Sequence, residues 1–244
     1  MLRTACLVGL ASCVSSTALA QAPQSVSFSS KDGLEITADL YVANPSPSTP
    51  MIVLFHQAGW SRGEYREIAP RLVEMGFNCL AVDQRSGGEV NGVSNETAKR
   101  AKAKKLGTSY VDARQDMVAA LEHARSTYAE QTVIAWGSSY SSALIIQIAG
   151  TEESLVNGVL SFSPGEYFGR QGKGPRYVSD GAKGVEVPTF VTSSKREAKG
   201  TKKIFQAIGA KQKVHFVPGS AGQHGSRALW TKFDDNNAYW AAVN

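Results

Sequence analysis

Short uncharged runs alternate along the chain with longer segments in which apolar and polar residues recur at helical spacing. Alternating apolar and polar positions around Asp32-Gly33 predict an opening hairpin over residues 26–29 and 34–42. Six further strands are predicted at residues 51–55, 78–82, 132–136, 158–162, 189–192 and 213–217. Helices are predicted at residues 64–75, 111–129, 142–150, 198–208 and 224–242. This order predicts an α/β fold, with a mostly parallel, doubly wound sheet of about eight strands and helices on both faces.

The first 20 residues have the pattern of an export leader. Arg3 supplies the positive end, residues 5–14 the apolar stretch, and Ala18-Leu19-Ala20 an A-x-A cleavage site. A second interpretation makes Leu10-Ala11-Ser12-Cys13 a lipoprotein cleavage box, with the mature protein anchored through Cys13. Both predict a bacterial protein that is exported, periplasmic or secreted, with residues 21–244 as a single domain. No apolar run is long enough for a transmembrane segment.

The composition, with 42% hydrophobic and 19% charged residues, is typical of a globular domain with a large core. The formal net charge of +5 becomes +4 once Arg3 is removed with the leader. The basic segment 99–105 is either a solvated helix face or a surface that attracts anionic groups. No nucleic-acid motif, metal-ligand spacing, phosphate loop or dinucleotide fingerprint occurs, so no nucleic acid, metal or cofactor is expected. Cys79 is the one cysteine outside the leader, which excludes an intramolecular disulfide in the mature chain.

The pentapeptide Gly137-Ser138-Ser139-Tyr140-Ser141 lies where a predicted strand meets a predicted helix, and it has the Gly-x-Ser-x-small pattern of a nucleophile elbow. This sharp turn strains its central residue, so the residues two before and two after it must be small. Gly137 and Ser141 meet that requirement, although glycine is more usual at the second position. The turn places the Ser139 hydroxyl at a helix N-terminus, which favours developing negative charge. An ordinary Gly-Ser turn is the alternative interpretation.

Further residues with suitable chemistry follow other predicted strands. These are His56-Gln57-Ala58-Gly59-Trp60, Lys195-Arg196-Glu197 and Gly222-Gln223-His224-Gly225. Because the carboxyl ends of parallel strands share one edge of a sheet, we expect Ser139, Glu197 and His224 to lie close together. Their chain order, serine then acid then histidine, is one of three known orders of the Ser-His-acid triad.

These segments, together with Asp83-Gln84-Arg85-Ser86-Gly87-Gly88, resemble the α/β-hydrolase superfamily, nearest to its small, cap-free dienelactone-hydrolase-like branch. The resemblance extends over the whole mature chain. Dienelactone hydrolases have cysteine where this chain has Ser139, so their particular substrate is not expected here. The acid is commonly aspartate in the family, whereas this chain offers Glu197. Asp83-Gln84-Arg85 is predicted to form a structural ion-pair loop.

The resemblance implies a role for each of the site residues. Ser139 would be the nucleophile, and His224 would be the general base and then the general acid. Glu197 would orient the imidazole and stabilise its positive charge. The backbone N–H groups of Tyr140 and Ala58 would form the oxyanion hole.

Alternatives exist for the acid and for the histidine. Glu166 follows the preceding strand, a position that some hydrolases use for their acid, and Asp180 is a further candidate. His56 is expected to hold its own loop by hydrogen bonding. His123 and His215 are expected to be packing residues within a helix and a strand.

The substrate pocket is predicted to be open and shallow. Residues 163–187 form a stretch of only 25 residues, rich in glycine, which favours a mobile loop over a helical lid. Gln57, Trp60, Tyr167 and Phe168 are candidate walls of the pocket, with ordinary packing as the alternative. The sequence thus predicts an exported serine hydrolase of esterase type that acts on a small-molecule acyl substrate. A serine peptidase, a thioesterase or a non-catalytic binding protein of the same fold is the alternative, and the oligomeric state is not predicted.

Overall fold

The computed structural model describes residues 22–130, 132–152 and 154–244, so the predicted leader, with Cys13 and the cleavage site at Ala20, lies outside the described residues. Ten strands occur in this part of the chain: β1 (Gln24–Ser29), β2 (Glu35–Tyr41), β3 (Met51–Phe55), β4 (Asn78–Val82), β5 (Glu89–Val90), β6 (Val93–Ser94), β7 (Val133–Ser138), β8 (Gly158–Phe162), β9 (Thr189–Thr192) and β10 (Lys213–Phe216). Its α-helices are α1 (Ile68–Glu74), α2 (Glu96–Ala103), α3 (Arg114–Thr127), α4 (Tyr140–Thr151), α5 (Tyr177–Ala182), α6 (Ala198–Ala207) and α7 (Asn236–Val243). Short 3-10 turns lie at Arg62–Tyr65, Gly169–Gln171 and Ser226–Leu229. None of the helices described is long and apolar enough to cross a membrane.

Eight of these strands form one sheet in the order β1-β2-β4-β3-β7-β8-β9-β10. β2 runs antiparallel to both of its neighbours, and the remaining neighbours in the sheet are parallel. All five residues of β3 are buried, as the uncharged sequence of a strand covered on both faces predicts. The predicted architecture, a mostly parallel sheet of eight strands with no large cap among the described residues, is therefore confirmed.

The two faces of the sheet build two separate cores, because successive side chains of a strand point to opposite sides. Met51, Val53 and Phe55 of β3 belong to one core, which also contains side chains of α3, α4, α5 and α6. Ile52 and Leu54 belong to the other core, together with side chains of α1 and α7. Helices thus cover both faces and leave the carboxyl edge of the parallel strands open to loops.

Two of the predicted helices are interrupted in the structure. The helix predicted at residues 64–75 is a 3-10 turn, Arg62–Tyr65, followed by α1. The helix predicted at residues 224–242 is wrong over its first part, where a second 3-10 turn, Ser226–Leu229, precedes α7. Gly225 has a φ of +72°, which is incompatible with a right-handed helix and leaves His224 in a loop. The small β5–β6 hairpin was not predicted.

The segment 163–187 is not a loop throughout, and its mobility stays a prediction. It carries α5, which lies against α4 at unusually short range. A Cβ atom on Gly150 would lie only 1.9 Å from the carbonyl oxygen of Gly181. Gly150 and Gly181 therefore allow α4 and α5 to approach closely, whereas a Cβ atom on Gly169, Gly172 or Gly174 would have no neighbour within 4 Å.

The loop after β4 is the structural ion-pair loop predicted for Asp83-Gln84-Arg85. The Arg85 side chain is almost fully buried and lies 2.7 Å from carboxylate oxygens of both Asp116 and Asp32. Asp83 pairs with Arg62, also at 2.7 Å. Two buried guanidinium-carboxylate pairs thus fix this loop beside β3.

The basic segment 99–105 lies on α2 and just after it, at the surface. Lys99 pairs with Glu96 at 2.9 Å, and Arg100 pairs with Glu35 at 2.8 Å. Exposed pairs of this kind contribute little to stability. The segment is therefore a solvated basic face that is partly neutralised by neighbouring carboxylates.

Candidate active site

β7 ends in a tight turn that presents Ser139 at the N-terminus of α4. Ser139 has a φ of +59° and a ψ of −120°, a strained conformation for a residue with a side chain. Gly137 is required by the close approach of the helix, because a Cβ atom there would lie 2.6 Å from the backbone nitrogen of Ser142. At the other small position, the Ser141 hydroxyl donates to the carbonyl of His56 at 2.6 Å. The elbow is thereby fastened to the loop after β3.

Ser139, His224 and Glu197 form a hydrogen-bonded series at the carboxyl edge of the sheet. The Ser139 hydroxyl lies 2.7 Å from Nε2 of His224, and Nδ1 of the same ring hydrogen-bonds to Oε1 of Glu197. Glu197 comes after β9 and His224 after β10, so the parallel strands bring together residues that are far apart in the chain. In such a series the imidazole can accept the serine proton at Nε2 while the carboxylate holds Nδ1–H.

The Glu197 carboxylate is held by further donors. Its Oε2 accepts the N–H of Ser194 at 3.2 Å, the hydroxyl of Ser194 at 2.6 Å and the hydroxyl of Ser163 at 3.0 Å. Burial alone raises the pKa of Glu197, but the hydrogen bonds from His224, Ser194 and Ser163 outweigh it and hold the pKa at about 2. The carboxylate is therefore ionised at neutral pH and favours positive charge on the imidazole.

Ser163, which was not predicted as a site residue, links three parts of the site. Its hydroxyl oxygen accepts the N–H of Gly225 at 3.0 Å while the hydroxyl donates to Glu197. Its carbonyl accepts the hydroxyl of Tyr167 at 2.7 Å, and its φ is +60°. Both Ser163 and Ser194 lie just beyond the carboxyl ends of strands, so the rule that selected Ser139 points to them as well.

The backbone N–H groups of Ala58 and Tyr140, which are the predicted oxyanion hole, have no hydrogen-bond acceptor within the described part of the chain. His56 holds the loop that carries Ala58, as predicted. Its Nδ1–H donates to the Gln57 carbonyl at 2.8 Å, and its Nε2 accepts the N–H of Gln84 at 3.2 Å. Burial lowers the pKa of His56 to about 4, so the ring is neutral and Nε2 is free to accept.

The four candidate pocket walls differ in exposure. Tyr167 is 36% exposed, and Trp60 is half-buried with its ring stacked on that of Trp230 at 5.3 Å. Gln57 is 8% exposed. Phe168 is only 1% exposed and makes an edge-to-face contact with Tyr177 at 5.5 Å. Phe168 is therefore a core residue, and its assignment to the pocket wall is wrong.

The alternative acids lie elsewhere. Glu166 accepts the backbone N–H groups of Val178 and Ser179 at 2.8 and 2.9 Å and so caps α5. Asp180 is exposed and pairs with Lys183 at 2.8 Å. Neither carboxylate hydrogen-bonds to a histidine among the described residues, which leaves Glu197 as the carboxylate in contact with His224.

The two remaining histidines are packing residues, as predicted. His123 stacks on Phe28 with the ring centroids 4.5 Å apart. His215 stacks on Phe205 at 5.1 Å. Neither belongs to the hydrogen-bonded series around Ser139.

A cavity of about 520 Å³ is lined in part by His224, but Ser139, Ala58 and Tyr140 do not line it. Its lining includes the exposed side chains of Lys195 and Arg196, and also Arg227. No carboxylate belongs to the lining within the part of the chain that is described. The cavity therefore suits a neutral or anionic group better than a cationic one.

Comparisons with known proteins agree with this architecture. Residues 46–178 match the protein family described as "Serine aminopeptidase, S33". Comparison with curated protein sequences gives no match.

Several solved structures share the fold. The Pyrococcus furiosus esterase Pf2001 has a TM-score of 0.68 at 16% identity, over 91% of this chain and 89% of the esterase. A dienelactone hydrolase from Anabaena variabilis has a TM-score of 0.66 at 15% identity, over 91% of this chain and 97% of that protein. A thermostable carboxyl esterase from Bacillus coagulans has a TM-score of 0.64 at 12% identity, with coverages of 91% and 97%. Identities this low establish the fold alone.

Proposed function

Because this chain belongs to the serine aminopeptidase family of α/β hydrolases, we propose that it is a serine esterase that hydrolyses small carboxylic esters through an acyl-enzyme. The observation that carries the proposal is the series of hydrogen bonds from Ser139 through His224 to Glu197. Serine is a weak nucleophile at neutral pH and needs an adjacent base. An imidazole at 2.7 Å with a carboxylate behind it is such a base.

In the proposed reaction, Ser139 Oγ attacks the ester carbonyl carbon while Nε2 of His224 takes the hydroxyl proton. The N–H groups of Ala58 and Tyr140 donate to the carbonyl oxygen as it becomes negative, and each such donor contributes ~10²–10³ in turnover. The alcohol then leaves with the proton from His224. A water molecule, deprotonated by the same imidazole, releases the acid and restores Ser139.

A peptidase is the second candidate, because the family is described by an aminopeptidase. An aminopeptidase must bind the cationic amino terminus of its substrate, which needs a carboxylate near the nucleophile. The cavity that His224 lines presents Lys195, Arg196 and Arg227, but Ser139 does not line it, and the cavity that Tyr167 lines includes three carboxylates, those of Glu166, Asp180 and Glu197. The esterase is preferred because the structures of similar fold include proteins described as esterases.

The proposal extends to the site of action. We propose that residues 1–20 are an export leader and that residues 21–244 are the mature domain, which acts in the periplasm or outside the cell. The support is the positively charged, apolar and A-x-A pattern around Arg3 and Ala20. Mass spectrometry of protein recovered from the periplasm tests it, with Gln21 as the expected first residue.

Labelling with a fluorophosphonate probe tests the enzyme proposal. Wild type is expected to form a covalent adduct, and Ser139→Ala is expected to form none, because the probe reacts with activated serines. Ser179→Ala is the matched control, since its exposed hydroxyl contacts Glu166 and not His224. Folded wild type that takes no label would instead indicate a non-catalytic binding protein. Parallel assays with p-nitrophenyl acetate and leucine p-nitroanilide separate the esterase from the aminopeptidase.

A further inference from the structure

Another carboxylate lies fully buried next to the site, on the 3-10 turn Arg62–Tyr65. Glu64 is 0% exposed. Its Oε2 accepts the N–H of Gln57 at 2.7 Å, and its Oε1 accepts the hydroxyl of Ser138 at 2.7 Å. The Ser138 oxygen in turn accepts the N–H of Ser226 at 2.9 Å. One buried carboxylate thus connects three segments that are distant in sequence.

Each of these contacts lies one or two residues from a group that the proposed reaction uses. Gln57 precedes Ala58, whose N–H is a proposed oxyanion donor. Ser138 precedes the nucleophile in the elbow. Ser226 follows His224 by two residues. A shift of any of these segments would change the distance between the serine, the base and the oxyanion donor.

We propose that Glu64 is a positioning residue whose carboxylate holds the loops of Ala58 and His224 in register with Ser139. The inference rests on the proposed function, because that register matters only if an ester is attacked at Ser139. Glu64 itself touches neither substrate nor the reacting atoms and acts through its neighbours. Misplacement of about 1 Å around a reacting centre costs ~10²-fold in rate, so this role has a measurable size.

A carboxylate fits this arrangement best, because two donors address two different oxygen atoms. The Gln57 N–H and the Ser138 hydroxyl each need an acceptor on the Glu64 side chain. An amide offers one oxygen and sets an NH₂ group against the other donor. The Ser138 oxygen keeps a second lone pair beside the one that accepts the N–H of Ser226, so it can accept the amide NH₂ only if its own proton turns to a different acceptor.

The protonation of Glu64 gives the role a signature in pH. Burial raises the pKa of Glu64 to about 7, although its two hydrogen-bond donors and the nearby Arg227 lower it. The titratable and charged groups facing it are Arg227, Tyr65 and Tyr140. Because this pKa lies above the ordinary 4.5, ionisation costs stability as the pH rises from 4.5 through about 7. The same ionisation supplies the second acceptor, so activity and stability change in opposite directions.

Glu64→Gln and the matched control Glu67→Gln test the proposal. Glu67 is an exposed carboxylate of the neighbouring turn, and it accepts the N–H and hydroxyl of Thr231 at 3.0 and 2.9 Å. For p-nitrophenyl acetate, Glu64→Gln is expected to lower kcat by ~10²–10³-fold with KM within about threefold of wild type. Binding of a trifluoromethyl ketone, which forms a tetrahedral adduct with serine, is expected to weaken in parallel. Glu67→Gln is expected to keep kcat within about twofold of wild type.

The pH profile separates positioning by the charge from a structural role. The pH profile of kcat/KM for wild type is expected to contain the ionisation of Glu64, whose pKa is about 7. Glu64→Gln is expected to lack this ionisation, because the amide does not titrate. A variant that keeps the wild-type profile and kcat overturns the inference.

A second variant covers the case in which Glu64→Gln does not fold. Ser138→Ala keeps the carboxylate but cuts its link to Ser226, and the same loss in kcat with little change in KM is expected. If wild type reacts with the fluorophosphonate and the folded variants keep kcat within about threefold of wild type, only the positioning role of Glu64 is overturned. Wild type that does not react removes the proposed function itself.

Discussion

Replacement of Glu197 by glutamine isolates the charge that faces His224, because the amide has nearly the same shape as the carboxylate. Oε2 of Glu197 accepts the N–H and the hydroxyl of Ser194 and the hydroxyl of Ser163. A backbone N–H cannot become an acceptor, so the glutamine oxygen is held at the Oε2 position and its NH₂ faces Nδ1 of His224. The ring is then fixed in the tautomer whose Nε2 carries the proton, and Ser139 loses its base.

The size of the loss follows from two contributions. To turn its oxygen toward His224, the amide must leave the N–H of Ser194 without an acceptor, which costs about 1–3 kcal/mol. The imidazolium formed in the reaction also loses a negative neighbour, worth about 4 kcal/mol at ~4 Å with an effective dielectric constant of ~20. Together these give about 5–7 kcal/mol, which corresponds to a ~10⁴–10⁵-fold lower kcat.

The assay is the steady-state hydrolysis of p-nitrophenyl acetate by purified Glu197→Gln, with circular dichroism and Tm to verify the fold. Glu166→Gln is the matched control, since it makes the same change in the carboxylate that caps α5. Its kcat is expected to stay within tenfold of wild type, a barrier change of at most about 1.4 kcal/mol. A folded Glu197→Gln with kcat within tenfold of wild type, beside an inactive Glu166→Gln, would refute the reasoning.

Three further predictions concern the elbow, the core and the substrate. Gly137→Ala is expected to lower Tm by roughly 5 °C, because its Cβ atom would lie 2.6 Å from the backbone of Ser142. Gly158→Ala is the control and is expected to keep the wild-type Tm, because the nearest atom to its Cβ would lie at 3.6 Å. Equal Tm values for the two variants would contradict this prediction. Arg85→Met is expected to lower the free energy of unfolding, measured with urea, by about 3–5 kcal/mol, because the fully buried carboxylate of Asp116 loses its charged partner. A loss below about 1 kcal/mol would contradict this prediction. p-Nitrophenyl acetate and butyrate are expected to be better substrates than the palmitate, because the segment 163–187 carries only the six-residue helix α5 and forms no long helical lid among the described residues. A preference for long chains would exclude an open site.

The mostly parallel sheet and the proximity of the main site residues could be predicted from the sequence for two physical reasons. Strands covered on both faces lose their polar positions, so β3 and β7 are visible as short uncharged runs. Parallel strands also end at one edge, which makes the residue after each strand a candidate for the site. Ser139, Glu197 and His224 were selected by that rule, and the structure brings them into contact.

Local pattern was less informative where the backbone or a distant partner decides the structure. The apolar spacing after His224 suggested a helix, but Gly225 has a positive φ, which keeps His224 in a loop. The glycines of the segment 163–187 suggested mobility, because a residue without a side chain gives the backbone more freedom. The same lack of a side chain also lets two backbones pack closely. Gly181 approaches Gly150 of another helix, and only the three-dimensional contact reveals that glycine here favours packing.

The contrast between Glu64 and Glu67 shows where sequence reasoning about a site ends. The two carboxylates lie three residues apart in one segment, and nothing in their local sequence distinguishes a buried acid from an exposed one. Glu64 can be 0% exposed because Gln57 and Ser138, from other segments, donate hydrogen bonds that offset the free-energy cost of burying its carboxylate. Reactive residues can be inferred from residue type and strand position, but a residue that positions them acquires its role from partners that only the folded chain brings together.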